Sequence, residues 1–151
     1  RVVPRVLDGR TVRVLGDPDV AHTWTYIDDV ARALVVLGTD ERAWGRVWHV
    51  PSGTARSQRQ MVEAFADAAA VPAPKVVSMP TWALRAIGFL SPAVRELGEI
   101  RHQFERPFVM ESTAFTETFG VPPTPLDRSA LATVRWWRSR DQSSVGESVA
   151  A

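Results

Sequence analysis

The chain has 151 residues, of which 45% are apolar and 23% are charged. That is the composition of a folded domain with a single core, and it excludes a disordered chain. A formal net charge of +1 predicts no general attraction to nucleic acid or to an acidic membrane. The chain contains no cysteine, which excludes disulfides, thiolate metal sites and a cysteine nucleophile. No apolar run approaches the roughly 20 residues of a membrane helix, and we expect a cytoplasmic protein.

The N-terminal region predicts two short strands. Residues 1–5 contain neither an initiator methionine nor a signal-peptide pattern, so we expect an interior piece of a longer protein. The alternating run 12–15 predicts a strand that ends in a turn at Gly16. Residues 23–27 are aromatic and β-branched and therefore predict a second strand.

A helix is predicted directly after that second strand. Asp28 is placed as its N-cap, and Gly38 as its stop. Its apolar face is expected to hold Val30, Ala33, Leu34 and Leu37. The pair Asp28 and Asp29 invites an acid/base or metal role. A helix N-terminus explains the pair more simply, because carboxylates there accept backbone N–H bonds and interact favourably with the helix dipole.

The next two elements are a strand and a capped helix. Residues 47–50 (Val-Trp-His-Val) predict a strand covered on both faces, which needs neighbours that this chain does not supply. His49 in such a strand is more often a satisfied core histidine than a ligand. Ser57 and Gln60 form a capping box that opens a helix through about Ala70. Its inward side chains are expected to be Met61, Val62, Phe65 and Ala69.

The rest of the chain is predicted to be mainly helical. The expected elements are a strand at 75–79, a helix at 81–89, a helix at 91–105 and a short helix at 112–119. Gly120 is placed as the C-cap of the short helix. The final helix begins at Thr124 with an apolar stripe of Leu126, Ala130, Val134 and Trp137. We expect one domain over 1–140 and a flexible tail over 141–151, where Ser, Gln, Gly and Glu are common.

Four segments occur in an order typical of one enzyme family. Residues 24–33 (Trp-Thr-Tyr-Ile-Asp-Asp-Val-Ala-Arg-Ala) are similar to a strand–helix segment ending in V-D-D-V-A-x-A, and 45–53 to a strand G-x-x-Y-N-V-G-S-G. Residues 60–63 are similar to the following helix, and 118–126 to a closing L-G-W-x-P-x-x-x-L. Over residues 15–137 the chain thus resembles the C-terminal, substrate-binding half of the extended short-chain dehydrogenase/reductases, the NAD(P)-dependent epimerase/dehydratase family. The resemblance implies an α/β fold, the C-terminal part of a Rossmann-type protein, mainly helical with a few short strands.

The resemblance also implies what this chain lacks. The first half of such enzymes is a Rossmann domain with a glycine-rich pyrophosphate loop. It also carries a Tyr-x-x-x-Lys pair whose tyrosine acts as acid/base. Here the only tyrosine is Tyr26, and Val30 stands where that lysine would be. The resemblance therefore implies that NAD or NADP is bound by a missing N-terminal half. It also implies no catalytic, cofactor-binding or metal residue in this chain, which should be inactive alone.

The resemblance places His22, Trp24 and Tyr26 in a substrate cleft. Arg101, near the end of a predicted helix, is a further candidate that could meet an anionic substrate. The alternatives are a turn hydrogen bond for His22, core packing for Trp24 and Tyr26, and a solvated helix end for Arg101. His22 stands where nucleotide-sugar enzymes of the family commonly have an arginine. A neutral imidazole is a poorer diphosphate clamp than a bidentate guanidinium. That favours a less charged substrate, sugar-like or with a small carbonyl or hydroxyl group.

Two hypotheses follow for the function. The first is the substrate-binding part of an NAD(P)-dependent oxidoreductase or epimerase, which predicts exposed apolar surface at 47–50 and 2–3. The second is a non-catalytic binding or protein-interaction module derived from this family, which predicts a self-contained fold. The expected partner is a small-molecule substrate, with no nucleic acid and no membrane, and a homodimer is left open.

Overall fold

A computed structural model describes residues 2–79 and 102–149 of the chain. In chain order the helices are α1 (Val2–Leu7), α2 (Ile27–Thr39), α3 (Gln58–Ala69), α4 (His102–Glu105), α5 (Thr113–Phe119) and α6 (Leu126–Val149). The strands are β1 (Val12–Val14), β2 (Ala21–His22), β3 (Arg56–Ser57) and β4 (Val76–Ser78), and a short 3-10 helix spans Glu41–Ala43. None of the helices in this part of the chain is long and apolar enough to cross a membrane.

The strands form two small ladders. β1 pairs in parallel with β4, with Val12 opposite Val76 and Val14 opposite Ser78. The strands predicted at 12–15 and 75–79 are therefore confirmed. β2 pairs antiparallel with β3, and His22 makes a further parallel bridge to Phe108.

The core lies between the β1–β4 ladder and helices α1, α3 and α6. One buried cluster consists of Val6, Val12, Val14, Val62, Ala66 and Val76, and a second of Val3, Ala69 and Val134. The half-buried ring of Phe65 packs against both clusters. Helix α3 supplies its predicted inward residues because its start is fixed by the predicted capping box. Ser57 Oγ accepts from the Gln60 amide at 3.2 Å, and Gln60 Oε1 accepts from the Ser57 amide at 2.9 Å.

Gly16 allows the loop after β1 to lie against the backbone of α4. Its φ is +69°, and a Cβ at this position would overlap the carbonyl group of Phe104. The neighbouring Asp17 amide donates to that same Phe104 carbonyl at 3.1 Å. A side chain at Gly16 is therefore opposed both by its backbone conformation and by the space available.

Two predicted strands are wrong. Among the described residues, Thr23 alone in the segment 23–27 donates its backbone amide to a neighbouring segment, at 2.8 Å from the Phe108 carbonyl, and Ile27 already begins α2. Residues 47–50 form no strand, and Val47 is 95% exposed. Their amides find no backbone acceptor among the residues that the structure describes. A strand needs a partner for these groups, and this part of the chain offers none.

Helix α2 differs from its prediction at both ends. Tyr26, not Asp28, holds the N-cap position, and its side chain makes no capping bond. Gly38 lies inside the last turn, and the Asp40 amide closes the helix on the Val36 carbonyl at 2.9 Å. Leu34, predicted to face inward, is exposed. Local propensity did not decide these points, because neighbouring segments determine where the chain turns and which side it buries.

The C-terminal elements follow the predictions more closely. The helix predicted at 112–119 is α5, and Gly120 ends it in the left-handed conformation with φ 68°. In α6, Ala130 and Val134 are buried as predicted. The backbone of α6 continues to Val149 and so enters the segment 141–151, whose flexibility stays a prediction. The helix predicted at 81–89 and most of that at 91–105 lie outside the described residues.

Replacing Gly16 by alanine tests the close approach to Phe104, and Gly9→Ala is the matched control. Both glycines have positive φ, but a Cβ at Gly9 would meet nothing within 4 Å. We expect Gly9→Ala to lower the free energy of unfolding by about 1–2 kcal/mol. Gly16→Ala should cost about 1–3 kcal/mol more, because the loop must also move away from α4. Urea unfolding followed by circular dichroism measures both, and equal losses would contradict the packing described.

Candidate functional site

A cleft of about 360 Å³ lies between the segment that precedes α2 and the start of α6. Residues 24–26 form one wall, and residues 123–126 with Ser129 and Thr133 form the other. Met61 and Phe65 of α3 contribute apolar side chains, and residues 53, 54 and 56 lie at its edge. The volume is near the lower end of the range for small-molecule sites, about 300–1,000 Å³.

Trp24 presents a fixed aromatic ring to this cleft. Its indole Nε1 donates to the backbone carbonyl of Arg56 at 2.9 Å. The side chain is nevertheless 42% exposed, so it is held in place without being covered. A tryptophan with its polar atom satisfied and its ring open can pack against an apolar ligand surface.

Tyr26 lines the same wall, but it is not poised for proton transfer. Its phenol donates a hydrogen bond to the carboxylate of Asp28, which raises the pKa of Tyr26 above its usual value. Burial and the nearby negative charges of Asp28 and Asp29 raise that pKa further. An acid/base tyrosine near neutral pH needs the opposite shift. Tyr26 can therefore contribute a neutral ring to the cleft but is unsuited to act as its base.

Asp29 is a buried carboxylate that joins the two walls of the cleft. It accepts from the backbone amide of Thr124 at 2.7 Å and from the Thr124 hydroxyl at 2.6 Å. The guanidinium of Arg32 also donates to it, and to the Thr124 hydroxyl at 3.0 Å. A carboxylate with this many donors has little capacity left for acid/base or metal chemistry. Among the described residues, no group of three or more histidine or acidic side chains could hold a metal ion.

His22 is directed away from the cleft. Its Nδ1 lies 3.0 Å from the Val20 carbonyl and its Nε2 lies 2.7 Å from the Gln103 carbonyl. Both ring nitrogens are thus engaged with backbone, and His22 does not line the cleft. Arg101 lies outside the described residues. Of the four predicted substrate-binding residues, the cleft brings together Trp24 and Tyr26, and their contact with a substrate stays a prediction.

His49 is not a core histidine, contrary to the interpretation of its segment as a buried strand. It is exposed, and its Nδ1 donates to the Glu111 carbonyl at 2.6 Å. No strand in the described part of the chain pairs with the segment 47–50, and His49 is left uncovered.

The second wall of the cleft was not predicted from the sequence. Thr124 was noted only as the start of the last helix, yet it is the partner of Asp29 across 95 positions of the chain. Arg56 was not noted, although its backbone carbonyl holds Trp24. Both roles depend on contacts between distant segments, for which the local sequence carries no signal.

The N-termini of α2, α3, α5 and α6 do not fit a dinucleotide pyrophosphate. Such a site needs free backbone N–H groups and no competing negative charge. Helix α2 has Asp28 and Asp29 in its first turn, and α6 has Asp127. The first turn of α3 is capped by Ser57, and Glu111 takes the Thr113 amide at the start of α5.

Comparison with known proteins identifies the fold. No family model and no curated protein matches the chain. A nucleoside-diphosphate-sugar epimerase from Staphylococcus aureus shares its fold, with a TM-score of 0.67 over 85% of this chain and 46% of its own, at 14% identity. A partial consensus L-threonine 3-dehydrogenase gives 0.61 over 91% and 40%, also at 14% identity. The chain thus spans less than half the length of either protein. The expected α/β fold is confirmed, since the chain shares it with parts of both proteins.

The hydrogen bond between Tyr26 and Asp28 can be tested by titration, because Tyr26 is the only tyrosine in the chain. Ultraviolet absorbance should show tyrosinate forming at a higher pH than for a free tyrosine, since Asp28 raises the pKa. Asp28→Asn should lower the Tyr26 pKa toward its usual value by removing the negative acceptor. Asp127→Asn, a matched change in the first turn of another helix, should leave it unchanged. An unshifted midpoint in the unsubstituted protein would contradict the assignment.

Proposed function

We propose that the chain is the substrate-binding part of an NAD(P)-dependent epimerase/dehydratase or reductase that acts on a sugar-like or small carbonyl/hydroxyl substrate. The observation that carries the proposal is the fold that the chain shares with an epimerase and a dehydrogenase, of whose lengths it spans 46% and 40%. The cofactor and the acid/base residues would then belong to an N-terminal half. A small-molecule substrate is the proposed partner, and a homodimer stays open.

The two-sided character of α2 supports this proposal. On one side of the helix Ala33 is buried and Val36 is half-buried. On another side Ile27, Leu34 and Val35 are 70%, 62% and 65% exposed. A helix that is apolar on two sides is typical of one packed between two layers. We infer that these three residues, the outer stripe of α2, are covered by an N-terminal half.

The segment 47–50 supports it in the same way. Its largely apolar sequence is that of a strand covered on both faces, yet its amides lack backbone acceptors among the described residues and Val47 is almost wholly exposed. Adding it to the edge of a sheet in the N-terminal half would pair those groups. At the N-terminus Val2 is exposed but Val3 is buried, so the exposed surface expected at 2–3 is limited to Val2. The alternative of a self-contained binding module is not favoured by these features.

Within the proposal, this chain binds and orients the substrate. Trp24 offers a fixed ring, and Tyr26 offers a second one that stays neutral. The hydrogen bonds between Asp29 and Thr124 fix the distance between the two walls of the cleft. Since the N-termini of α2, α3, α5 and α6 do not fit a pyrophosphate, the proposal assigns NAD or NADP to the N-terminal half.

Cofactor titration tests the proposal directly. We expect the 151-residue chain to leave NADH and NADPH fluorescence unchanged, because the proposal assigns cofactor binding to the N-terminal half. The product of the whole reading frame should bind one of the two cofactors with a Kd in about the micromolar range, and Trp24→Ala should mainly raise KM. Trp44→Ala, which changes another exposed tryptophan outside the cleft, is the control. Tight binding by the 151 residues alone, or no binding by the whole product, would contradict the proposal.

A further inference from the structure

We propose that the cleft between residues 24–26 and the start of α6 selects a small, ring-containing molecule with one carboxylate and a hydroxyl group, and rejects a nucleoside diphosphate. The inference rests on the proposed function in taking this cleft as the substrate site. It names the chemical class that the cleft accepts. Three features carry it: a fixed aromatic wall, a single unpaired cation, and hydroxyl groups whose hydrogens are already donated.

The aromatic wall favours a ring. Trp24 is held by its bond to the Arg56 carbonyl, so ordering its side chain costs a ligand little conformational entropy. Phe65 and Met61 add apolar surface from α3, and Pro123 and Pro125 add rigid apolar surface from the other wall. A flat ring can fill such a space and gain stacking with Trp24.

The charge of the cleft favours one negative group. Arg56 and Asp29 are its charged lining residues, and Arg32 with Thr124 already engages the Asp29 carboxylate. Within the described part of the chain, the Arg56 guanidinium has no ion pair and no hydrogen bond. Among its described residues, the cleft thus has one uncompensated positive charge, which matches one carboxylate through a charge-assisted hydrogen bond.

A diphosphate is poorly matched to the same site. It carries at least two negative charges and is usually held by more than one bidentate guanidinium. Arg56 alone would leave part of that charge desolvated and unpaired. His22 cannot help, because its ring lies between the Val20 and Gln103 carbonyls and does not line the cleft.

The hydroxyl groups on α6 specify a hydrogen-bond donor on the ligand. Ser129 Oγ donates to the Leu126 carbonyl at 3.1 Å, and Thr133 Oγ1 donates to the Ser129 carbonyl at 2.7 Å. Because each hydroxyl already donates its hydrogen, its oxygen can offer a ligand in the cleft only lone pairs, which accept hydrogen bonds. A ligand hydroxyl can donate to them while its carboxylate meets Arg56 at the edge.

Isothermal titration calorimetry on the product of the whole reading frame tests the inference with three probes. These are 6-hydroxy-2-naphthoate, which has the ring, the hydroxyl and the carboxylate, 2-naphthol, which lacks the charge, and uridine diphosphate. We expect the naphthoate to bind most tightly. Arg56→Gln should weaken its binding about tenfold or more and change that of 2-naphthol less than about twofold. Arg13→Gln, an exposed arginine on β1 outside the cleft, should change neither.

A second variant tests the contribution of the Trp24 ring to binding. Trp24→Ala should weaken both naphthyl probes about fivefold or more, and Trp44→Ala should weaken neither. Uridine diphosphate binding most tightly, or naphthoate affinity unaffected by Arg56→Gln, would overturn the inference. Neither of those results bears on cofactor-dependent activity, which is measured separately. The inference about the ligand class can therefore fail while the proposed function still holds. Probe binding as expected in a protein without NAD(P) chemistry would instead refute the proposed function alone.

Discussion

The buried carboxylate of Asp29 fixes the geometry on which the cleft depends. Burying a charge costs free energy unless donors replace the lost water. Here the amide and hydroxyl of Thr124 and the guanidinium of Arg32 do so. The contact joins the first turn of α2 to Thr124, which lies two residues before the start of α6 and 95 positions along the chain. The hydrogen-bonded carboxylate of Asp29 therefore fixes the position of one wall of the cleft relative to the other.

The rest of the molecule is well packed on one side and open on the other. The clusters around α1, α3 and α6 bury their valines almost completely. The outer stripe of α2 and Val47 remain in contact with solvent. Covering a large aliphatic side chain is worth about 1.5–3 kcal/mol, so a layer over these four residues would stabilise the protein substantially. This asymmetry suits a substrate-binding part packed on a cofactor-binding half.

The sequence predicted elements whose signals are local. Ser57 and Gln60 lie three residues apart, and Gly120 directly ends its helix, so both caps were found. It did not predict the ends of α2, because aromatic and β-branched residues favour a strand only where a partner exists. Of the residues that line the cleft, the sequence pointed to Trp24 and Tyr26, because they lie in a segment that resembles the family. It did not point to Thr124 and Arg56, because they act through long-range contacts. The unpaired segment 47–50 shows the same limit, since its pattern indicates a strand whose partner is not among the described residues.

Backbone hydrogen exchange at residues 48–50 tests the central claim that this chain is completed by an N-terminal half. It would be measured in the 151-residue chain and in the product of the whole reading frame. The account predicts fast exchange in the chain alone, where these amides have no backbone acceptor among the described residues. It predicts protection of about a hundredfold or more in the longer product, where the segment would join a sheet. Protection already present in the 151-residue chain, or fast exchange in both, would contradict it.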